Sequence, residues 1–393
     1  MAVNIINMAA FKQFTADTFL VHPLPPGSEI SLVPTTRKLA YIVRVSAIKP
    51  LAWADKLEVA QVEGWEVVTQ KGQFKPGDFA VYFEIDSVLP LSNPNMAFME
   101  GKRLKTKMFR DQISQGLLGP MSWLPNTRVD QGSTGLCEAQ TQGDDCPIPY
   151  MEGQDVTAIL GVTKWVHPQE AGLLEDSEAK SGWISPLIPK TDEVRVQSAI
   201  KQLQSLRGKN VVVTQKYDGT SATFVVINGK SSVCGRNRVH TIQDASNSHF
   251  FEIVKRYDLE AKMVALGRNI ALQGEIIGPK INGNRHSVKT NEFYAFNLFD
   301  INDGEYCDWA GVTKVADTIG VKTVPVVFHG EMPESWLDVP ALLAFSESQQ
   351  YTNGTTAKPA EGIVVKSDYS RGDKLPRVSF KVISNKYLKK YDL

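Results

Sequence analysis

The sequence predicts an α+β protein of two domains, in which a small β-barrel precedes a larger domain built on antiparallel sheets with flanking helices. The chain has 393 residues, about twice the length of a typical single domain. Short apolar strands separated by turn residues fill its first part, whereas strands alternate with helical segments beyond residue 189. Between these parts, residues 166–188 mix Pro, Gly, Ser and acidic residues without periodicity, which predicts a linker.

The first domain is predicted over residues 36–165, after an arm of 35 residues that contains several prolines and little periodicity. Two apolar segments, 116–124 and 155–162, are expected to complete its barrel, with residues 126–150 as an inserted loop. The other strands are predicted from segments rich in Val, Ile and aromatic residues, at 39–48, 56–62, 65–70 and 78–85. Their spacing fits a five-stranded oligonucleotide-binding (OB) barrel, although the pattern alone fits any small β-barrel.

The second domain is predicted over residues 189–393. A helix is expected from 192 to 206 with Thr191 as its N-cap, because acidic residues then occupy the first turn, where the helix dipole favours them. The segment 250–266 predicts another helix.

A β-hairpin is predicted around Asn228-Gly229, a strong signal for a two-residue turn. This turn places Arg236 beside Ser221, near the loop that follows Lys216. The full register pairs residue 227 with 230, 225 with 232, 223 with 234 and 221 with 236.

Charge and cysteine usage limit the class of protein. The 43 basic and 43 acidic residues balance, so the chain is not coated in positive potential. Basic residues nevertheless cluster at 102–110 and at 371–390, where contacts with phosphate are predicted. The four cysteines lack CxxC spacing, and no early apolar run suits a signal peptide, which indicates an intracellular protein, cytoplasmic or nuclear. No segment approaches the roughly 20 apolar residues of a membrane span.

The residues with the clearest chemical potential begin at Lys216, where a β-run ends and a polar turn follows. An amine is a nucleophile only when it is unprotonated, and the ordinary pKa of lysine is about 10.4. A nearby Mg²⁺ or a second cation lowers that pKa and also neutralises the phosphates of a nucleotide under attack. Asp218, Glu275 and Glu361 lie in or beside apolar strands and are candidate metal ligands, either directly or through water.

Taken singly, each of these residues also fits a structural role, such as a solvated lysine or a carboxylate at a strand edge. Their order along the chain favours function, because it resembles the collinear motifs of the covalent nucleotidyltransferase superfamily. Within that superfamily the chain looks most like RNA ligases of the phage RNA-repair type, in the Naegleria-type subgroup with an OB domain in front. The motifs are KYDG (216–219), CGRN (234–237), QGEIIG (273–278), GPKINGN (278–284), FYAF (293–296), EGIVVK (361–366) and Lys381.

The resemblance implies a nucleotide-binding site with ATP as the co-substrate. Lys216 would become linked to AMP, and Lys381 would contact the α-phosphate. Phe296 would stack on adenine, a role that its flat ring suits, unless it is a core aromatic. Arg236 would contact the nucleotide sugar or the RNA, and Lys366 would contact the nucleotide or the nucleic acid.

The resemblance also implies that the three carboxylates hold a hydrated Mg²⁺ or Mn²⁺ ion. The sequence departs from the family pattern at two positions. Many relatives end the last motif with two lysines separated by one residue, whereas Ser379 stands at the first of these positions. Either Lys386 or a basic residue from elsewhere replaces it, or one phosphate contact is missing. Gln215 stands where a glutamate is common.

The implied activity is ATP-dependent joining of 3′-hydroxyl and 5′-phosphate RNA ends, through a lysyl-AMP intermediate and an adenylylated 5′ end. The expected partner is RNA with a nick or broken ends, without a membrane, and a monomer is favoured. The alternatives are a ligase for DNA or mixed duplexes, a capping guanylyltransferase and a non-catalytic nucleic-acid-binding relative. A capping enzyme would carry the barrel after the transferase domain. A binding protein would be expected to lack the lysine or a carboxylate, and all of them are present.

Overall fold

A computed structural model of the chain describes residues 37–125, 150–165, 188–236, 239–240, 248–351, 357–368 and 377–391. The predicted arm, the inserted loop and most of the linker lie outside these residues. The described residues form two compact units. One contains the described parts of 35–171, 194–204 and 385–393, and the other those of 172–193 and 205–384. The domain limits 36–165 and 189–393 stay a prediction.

The first unit is built around a five-stranded antiparallel sheet with the strand order β3-β2-β1-β4-β8. Alternate residues of its central strand point to opposite faces, as in any strand. Tyr41 and Val43 therefore enter one apolar cluster, and Ala40 and Ile42 enter another. The elements are β1 (Ala40–Pro50), β2 (Leu57–Val62), β3 (Trp65–Gln70), β4 (Phe79–Phe83), β5 (Ser87–Val88), β6 (Lys107–Phe109), β7 (Gln112–Ser114), β8 (Leu117–Pro120), β9 (Thr163–Lys164), β10 (Val194–Arg195) and α1 (Ile200–Ser205).

The predicted strand at 155–162 is wrong. Only an isolated bridge between Asp155 and Tyr41 forms there, and the chain then continues in turns. Leu160 N donates to Val156 O, so the segment curls and buries both apolar side chains in the core. A four-residue spacing places both side chains on one face in a strand as well, so the sequence pattern alone does not separate the two conformations.

The second unit contains two larger sheets. In one, the strands lie in the order β22-β21-β11-β18, and in the other the order is β13-β12-β14-β15-β16, with β17 parallel to β15. The elements are β11 (Asn210–Lys216), β12 (Thr220–Ile227), β13 (Lys230–Cys234), α2 (Ser248–Tyr257), α3 (Leu259–Ala265), β14 (Ile270–Ile277), β15 (Glu292–Asp300), β16 (Glu305–Tyr306), α4 (Trp309–Ile319), β17 (Lys322–Thr323), β18 (Val326–Glu331), α5 (Val339–Ser348), β19 (Gln350–Tyr351), β20 (Lys358–Pro359), β21 (Gly362–Ser367) and β22 (Ser379–Ile383). The last helix, α6 (Asn385–Tyr391), groups with the first unit.

The predicted helix at 192–206 is much shorter than expected. A 3-10 turn at Val196–Ser198 precedes α1, which begins only at Ile200. Thr191 does not cap this helix, because its hydroxyl forms a 2.8 Å hydrogen bond with the hydroxyl of Ser221. Local propensity therefore gives way to a contact with residues distant in the sequence.

The helix predicted at 250–266 is divided into α2 and α3. The break lies at Asp258, whose φ of 51° is incompatible with a continuing right-handed helix. No helix of the described ranges combines the length and the apolar character needed to cross a membrane.

The predicted hairpin is confirmed as far as its strands extend. Ile227 pairs with Lys230, and the register continues to the pair Thr223 and Cys234. Asn228 and Gly229 have φ values of 50° and 74°, as a type I′ turn requires at both central positions.

Candidate active site

The loop after Lys216 connects the two sheets of the second unit. Lys216 is the last residue of β11 in one sheet, and β12 in the other sheet begins at Thr220. Gly219 allows the crossing, because a Cβ at this position would lie 2.2 Å from Ile276 O. Its N–H donates to Glu275 Oε1 at 3.1 Å, so a predicted metal ligand anchors the loop.

The amine of Lys216 forms an ion pair with Glu361. Nζ donates to Glu361 Oε2 at 2.6 Å, and the side chains are 25% and 18% exposed. Burial alone would lower the pKa of Lys216, but the negative charges of Glu361 and Glu275 raise it above its ordinary value. Without nucleotide and metal, Lys216 is therefore an ammonium and not yet a nucleophile.

The carboxyl groups around the lysine share one electrostatic environment. Burial raises the pKa of Glu275 to about 8, with Lys216 lowering it and Glu361 raising it. Burial also raises the pKa of Glu361, and the positive charges of Lys216 and Lys381 oppose this rise. The structure thus brings two of the predicted ligands and both predicted catalytic lysines within electrostatic reach of one another.

The third carboxylate, Asp218, has protein partners of its own. It forms an ion pair with Arg285, and its Oδ1 accepts a 2.6 Å hydrogen bond from Asn282 Nδ2. Across the described ranges, no three His, Cys, Asp or Glu side chains are arranged to hold one metal ion directly. The hard oxygen atoms of Glu275 and Glu361 fit a hydrated Mg²⁺ or Mn²⁺ ion, which keeps several of its waters.

Phe296 occupies a β-bulge in β15. Gln273 of β14 pairs with Asn297, but the next residue, Gly274, pairs with Ala295, so that Phe296 has no partner across the ladder. The side chain is half-buried. A bulge redirects a side chain relative to the regular strand, and bulges are frequent next to active sites.

The amine of Lys366 is directed to the strand that carries Phe296. It donates to Phe296 O at 2.6 Å and to Asn297 Oδ1 at 2.9 Å. Burial, together with the nearby positive charge of Arg377, lowers the pKa of Lys366 to about 7. The side chain is buried, so a contact with nucleic acid would require breaking these bonds.

The register of β21 and β22 places Lys381 on the same face of the sheet as Lys366, because Val364 pairs with Lys381 and Lys366 pairs with Ser379. Ser379 Oγ is buried and has no hydrogen-bond partner among the described residues. The serine therefore supplies no positive charge where relatives carry a lysine. Replacement by Lys386 stays a prediction.

Arg236 lies beyond the end of β13 and does not pair with Ser221 in the ladder. It donates instead to Asp192 Oδ1 at 2.6 Å, and Ser221 contacts the neighbouring Thr191. The two residues are thus bound to consecutive positions of another segment. The guanidinium is about half exposed, which leaves surface for a ligand.

The sequence motifs did not indicate three residues around the loop after Lys216. Arg285 carries no signal beyond its place after the GPKINGN string, and no motif includes Tyr351. His286 also lies outside the motifs, and its ring packs on Tyr217 and Tyr351, at centroid distances of 4.4 and 3.8 Å. Its Nε2 accepts a 3.3 Å hydrogen bond from Asp218 N. Burial lowers the pKa of His286 to about 4, so the ring is neutral near pH 7 and keeps this acceptor.

Comparisons with known proteins agree with this geometry. The RNA ligase family profile matches residues 209–383, and an OB-fold domain profile matches residues 39–121. No curated protein matches the chain in sequence.

Several solved structures are similar over most of the chain. Naegleria gruberi RNA ligase with pyrophosphate is 33% identical, covers 91% of this chain and 99% of its own, and has a TM-score of 0.73. A variant of that enzyme with ATP and Mn is 33% identical, with coverages of 91% and 100% and a TM-score of 0.74. Another variant, with AMP and Mn, is 32% identical, with coverages of 90% and 99% and a TM-score of 0.72. The predicted fold, an OB barrel followed by a nucleotidyltransferase domain, is thereby confirmed. With this identity over nearly the full length of both proteins, the chain belongs to the RNA ligase family.

Proposed function

We propose that this protein is an ATP-dependent RNA ligase that joins a 3′-hydroxyl to a 5′-phosphate and uses Lys216 as its nucleophile. The observation that carries the proposal is the 2.6 Å contact between Lys216 Nζ and Glu361 Oε2, beside a loop held by Glu275. Membership of the RNA ligase family supports it, as do the ATP, AMP and Mn bound by similar structures.

In the first step, the amine of Lys216 attacks the α-phosphorus of ATP. A P–N bond to AMP forms, the bond between the α-phosphorus and the bridging oxygen breaks, and pyrophosphate leaves. The ammonium must first lose a proton, which Glu361 Oε2, 2.6 Å from Nζ, would accept, and the nitrogen loses a second proton to solvent as the P–N bond forms. Lys381 would stabilise the negative charge that develops on the α-phosphate.

Glu275 and Glu361 would hold a hydrated Mg²⁺ or Mn²⁺ ion. Such an ion neutralises phosphate charge and favours the unprotonated form of a nearby amine. Asp218, which Arg285 and Asn282 already bind, would contribute through a water molecule or by fixing the loop.

The other predicted residues would bind the nucleotide or the RNA. Phe296 would stack on adenine, and Lys366 would hold the main chain behind that ring. Arg236 would contact the nucleotide sugar or the RNA through the exposed part of its guanidinium.

Two further transfers complete the reaction. An oxygen of the RNA 5′-phosphate attacks the phosphorus of the lysine-bound AMP. A P–O bond forms, the P–N bond breaks, and the Lys216 nitrogen takes up a proton from solvent and leaves as the amine. The 3′-hydroxyl then attacks the phosphorus of the RNA 5′-phosphate. A phosphodiester bond forms, the hydroxyl proton is lost and AMP leaves. Positioning and charge neutralisation supply most of the catalysis of such phosphoryl transfers.

Incubation of the protein with α-labelled ATP or GTP and Mg²⁺, without nucleic acid, tests the first step. We expect label from ATP on the wild type and none on Lys216→Ala. Lys230→Ala, which changes an exposed lysine of the hairpin turn, is the matched control and should retain the label. Label from GTP alone would indicate a capping enzyme, and no label from either nucleotide would indicate a binding protein.

Sealing assays on nicked RNA, nicked DNA and mixed duplexes then test the substrate. We expect the fastest sealing on nicked RNA. Equal rates on nicked DNA would replace the RNA ligase proposal with a DNA or mixed-duplex ligase.

A further inference from the structure

The hydroxyl of Tyr351 contacts the main chain of both members of the central ion pair. It donates to Lys216 O at 3.1 Å and accepts from Glu361 N at 3.0 Å. Tyr351 is 2% exposed, so both bonds lie away from solvent. One side-chain oxygen therefore connects the backbone of the nucleophile with the backbone of a predicted metal ligand.

This hydroxyl extends the ladder between β11 and β21. The regular pairing of the two strands ends with Lys216 opposite Gly362. Glu361 lies one residue before that pair, and the Tyr351 hydroxyl bridges the strands at this step. The distance between Lys216 Nζ and Glu361 Oε2 depends on how these two backbones are placed, so the bridge acts on the reacting group through its main chain.

The strand that carries Tyr351 is itself tied to β11. Gln215, the residue before the nucleophile, donates from Nε2 to Gln350 O at 2.8 Å. A glutamate at position 215 could not make this bond, because an ionised carboxylate has no hydrogen to donate. Gln215, which departs from the family pattern, thus holds β19 next to Lys216 through this hydrogen bond.

The ring of Tyr351 packs against two other buried rings, which also contact each other. His286 packs against it at a centroid distance of 3.8 Å, and Tyr217 contacts it edge-on at 5.6 Å. His286 in turn accepts the N–H of Asp218. The hydroxyl cannot move without disturbing a buried aromatic cluster, and packed interiors resist such shifts.

We infer that Tyr351 is a positioning residue for the adenylylation of Lys216, because its hydroxyl fixes the main chain of Lys216 relative to that of Glu361. The inference rests on the proposed function, since it concerns the first step of that reaction. Tyr351 would not touch ATP. Its loss should therefore lower the rate of the chemical step and leave nucleotide binding nearly unchanged.

Single-turnover adenylylation by Tyr351→Phe tests the inference, because phenylalanine keeps the ring and removes only the hydroxyl. With both hydrogen bonds lost, we expect the rate constant at saturating ATP to fall by about tenfold or more. The ATP concentration that gives half the maximal rate should stay within about twofold of the wild-type value.

Tyr82→Phe is the matched control. Tyr82 is also fully buried, but its hydroxyl donates to Gln115 O at 3.1 Å within the first unit, outside the motifs of the second domain. We expect this variant to adenylylate at close to the wild-type rate, and thermal unfolding of both variants reports any loss of stability.

The outcomes separate the inference from the proposed function. If the wild type takes label and Tyr351→Phe matches Tyr82→Phe in rate, the positioning role is wrong and the ligase assignment stands. A rise in half-saturating ATP equal to the fall in rate would also overturn the inference, because it would indicate a role in binding. If the wild type takes no label, both proposals fail together.

Discussion

Lys216 and Glu361 form a 2.6 Å ion pair between the last residue of β11 and the residue that precedes the neighbouring strand β21. The negative charge of Glu361 raises the pKa of Lys216 and so favours the ammonium form. In the proposed reaction, a metal ion bound to the carboxylate would compete with the lysine and favour the unprotonated amine.

Replacement of Glu361 by glutamine should lower the pKa of Lys216. The carboxylate raises that pKa against the effect of burial, so burial acts with less opposition once the charge is gone. The measurement is the pH dependence of Lys216 modification by a small amine-reactive reagent in metal-free buffer, followed by mass spectrometry. Glu331→Gln, which changes an exposed carboxylate at the end of β18, should leave the midpoint unchanged. An unchanged or higher midpoint in Glu361→Gln would contradict the prediction.

Replacement of Glu275 by glutamine should change the stability of the protein in a pH-dependent way. Relative to the wild type, the variant should be more stable in alkaline than in acidic metal-free buffer. Burial raises the pKa of Glu275 from an ordinary 4.5 to about 8, so the folded state binds the proton more tightly than the unfolded chain does. The stability contributed by the neutral carboxyl is fully present below the unfolded pKa and is lost as the pH rises through the folded pKa. Glutamine stays neutral at every pH, so the variant does not lose this stability as the pH rises.

Thermal unfolding of the wild type and of Glu275→Gln at several pH values checks the direction of this change in stability. The melting temperature of the variant, relative to that of the wild type, should rise between about pH 5 and about pH 9. A difference that stays constant or decreases would show that Glu275 is ionised in the folded protein.

Signals within a few residues of one another predicted the local structure well. Asn228-Gly229 specified the hairpin and its register because only a few residues tolerate the positive φ values of a type I′ turn. The strands of the OB barrel followed in the same way from alternation and turn residues. The segment 155–162 did not, because Val156 and Leu160 satisfy their need for burial in turns as well as they would in a strand.

Contacts between distant residues were not predictable from these patterns. The predicted helix at 192–206 is shorter than expected because Thr191 bonds to Ser221 and Asp192 bonds to Arg236. No local sequence pattern predicts either contact. The motif order indicated Asp218 as a site residue, but its ion pair with Arg285 joins positions 67 residues apart. The resemblance to a known family predicted which residues form the site, and the fold showed which distant residues contact them.

Replacement of Arg285 by alanine should destabilise the protein, because it leaves the partly buried carboxylate of Asp218 without its countercharge. The Arg285 and Asp218 side chains are 19% and 14% exposed, and breaking such a pair costs about 3 kcal/mol. The free energy of unfolding in urea gives the value. Arg44→Ala, which breaks an exposed pair with Glu152, should cost less than about 1 kcal/mol.

A double-mutant cycle shows whether the cost arises from this pair. In an Asp218→Asn background, the loss of Arg285 should cost much less, because no charge is left unpaired. Equal costs in both backgrounds would mean that Arg285 stabilises the protein through other contacts.

Replacement of Lys366 by methionine tests whether the lysine positions the Phe296 ring proposed to stack on adenine or instead contacts RNA. Methionine keeps the length of the side chain but leaves Phe296 O without its 2.6 Å hydrogen bond, so the stacking ring should be placed less accurately. Because an aromatic contact contributes about 0.5–1.5 kcal/mol, the ATP concentration that gives half the maximal rate should rise by about twofold to twelvefold. Phe296→Leu should have a similar effect, and the double variant should add little to either. Lys314→Met, an exposed position on α4, is the control. If Lys366→Met leaves ATP saturation unchanged and weakens only RNA binding, then the lysine acts on the nucleic acid, and its bond to Phe296 must open when RNA binds.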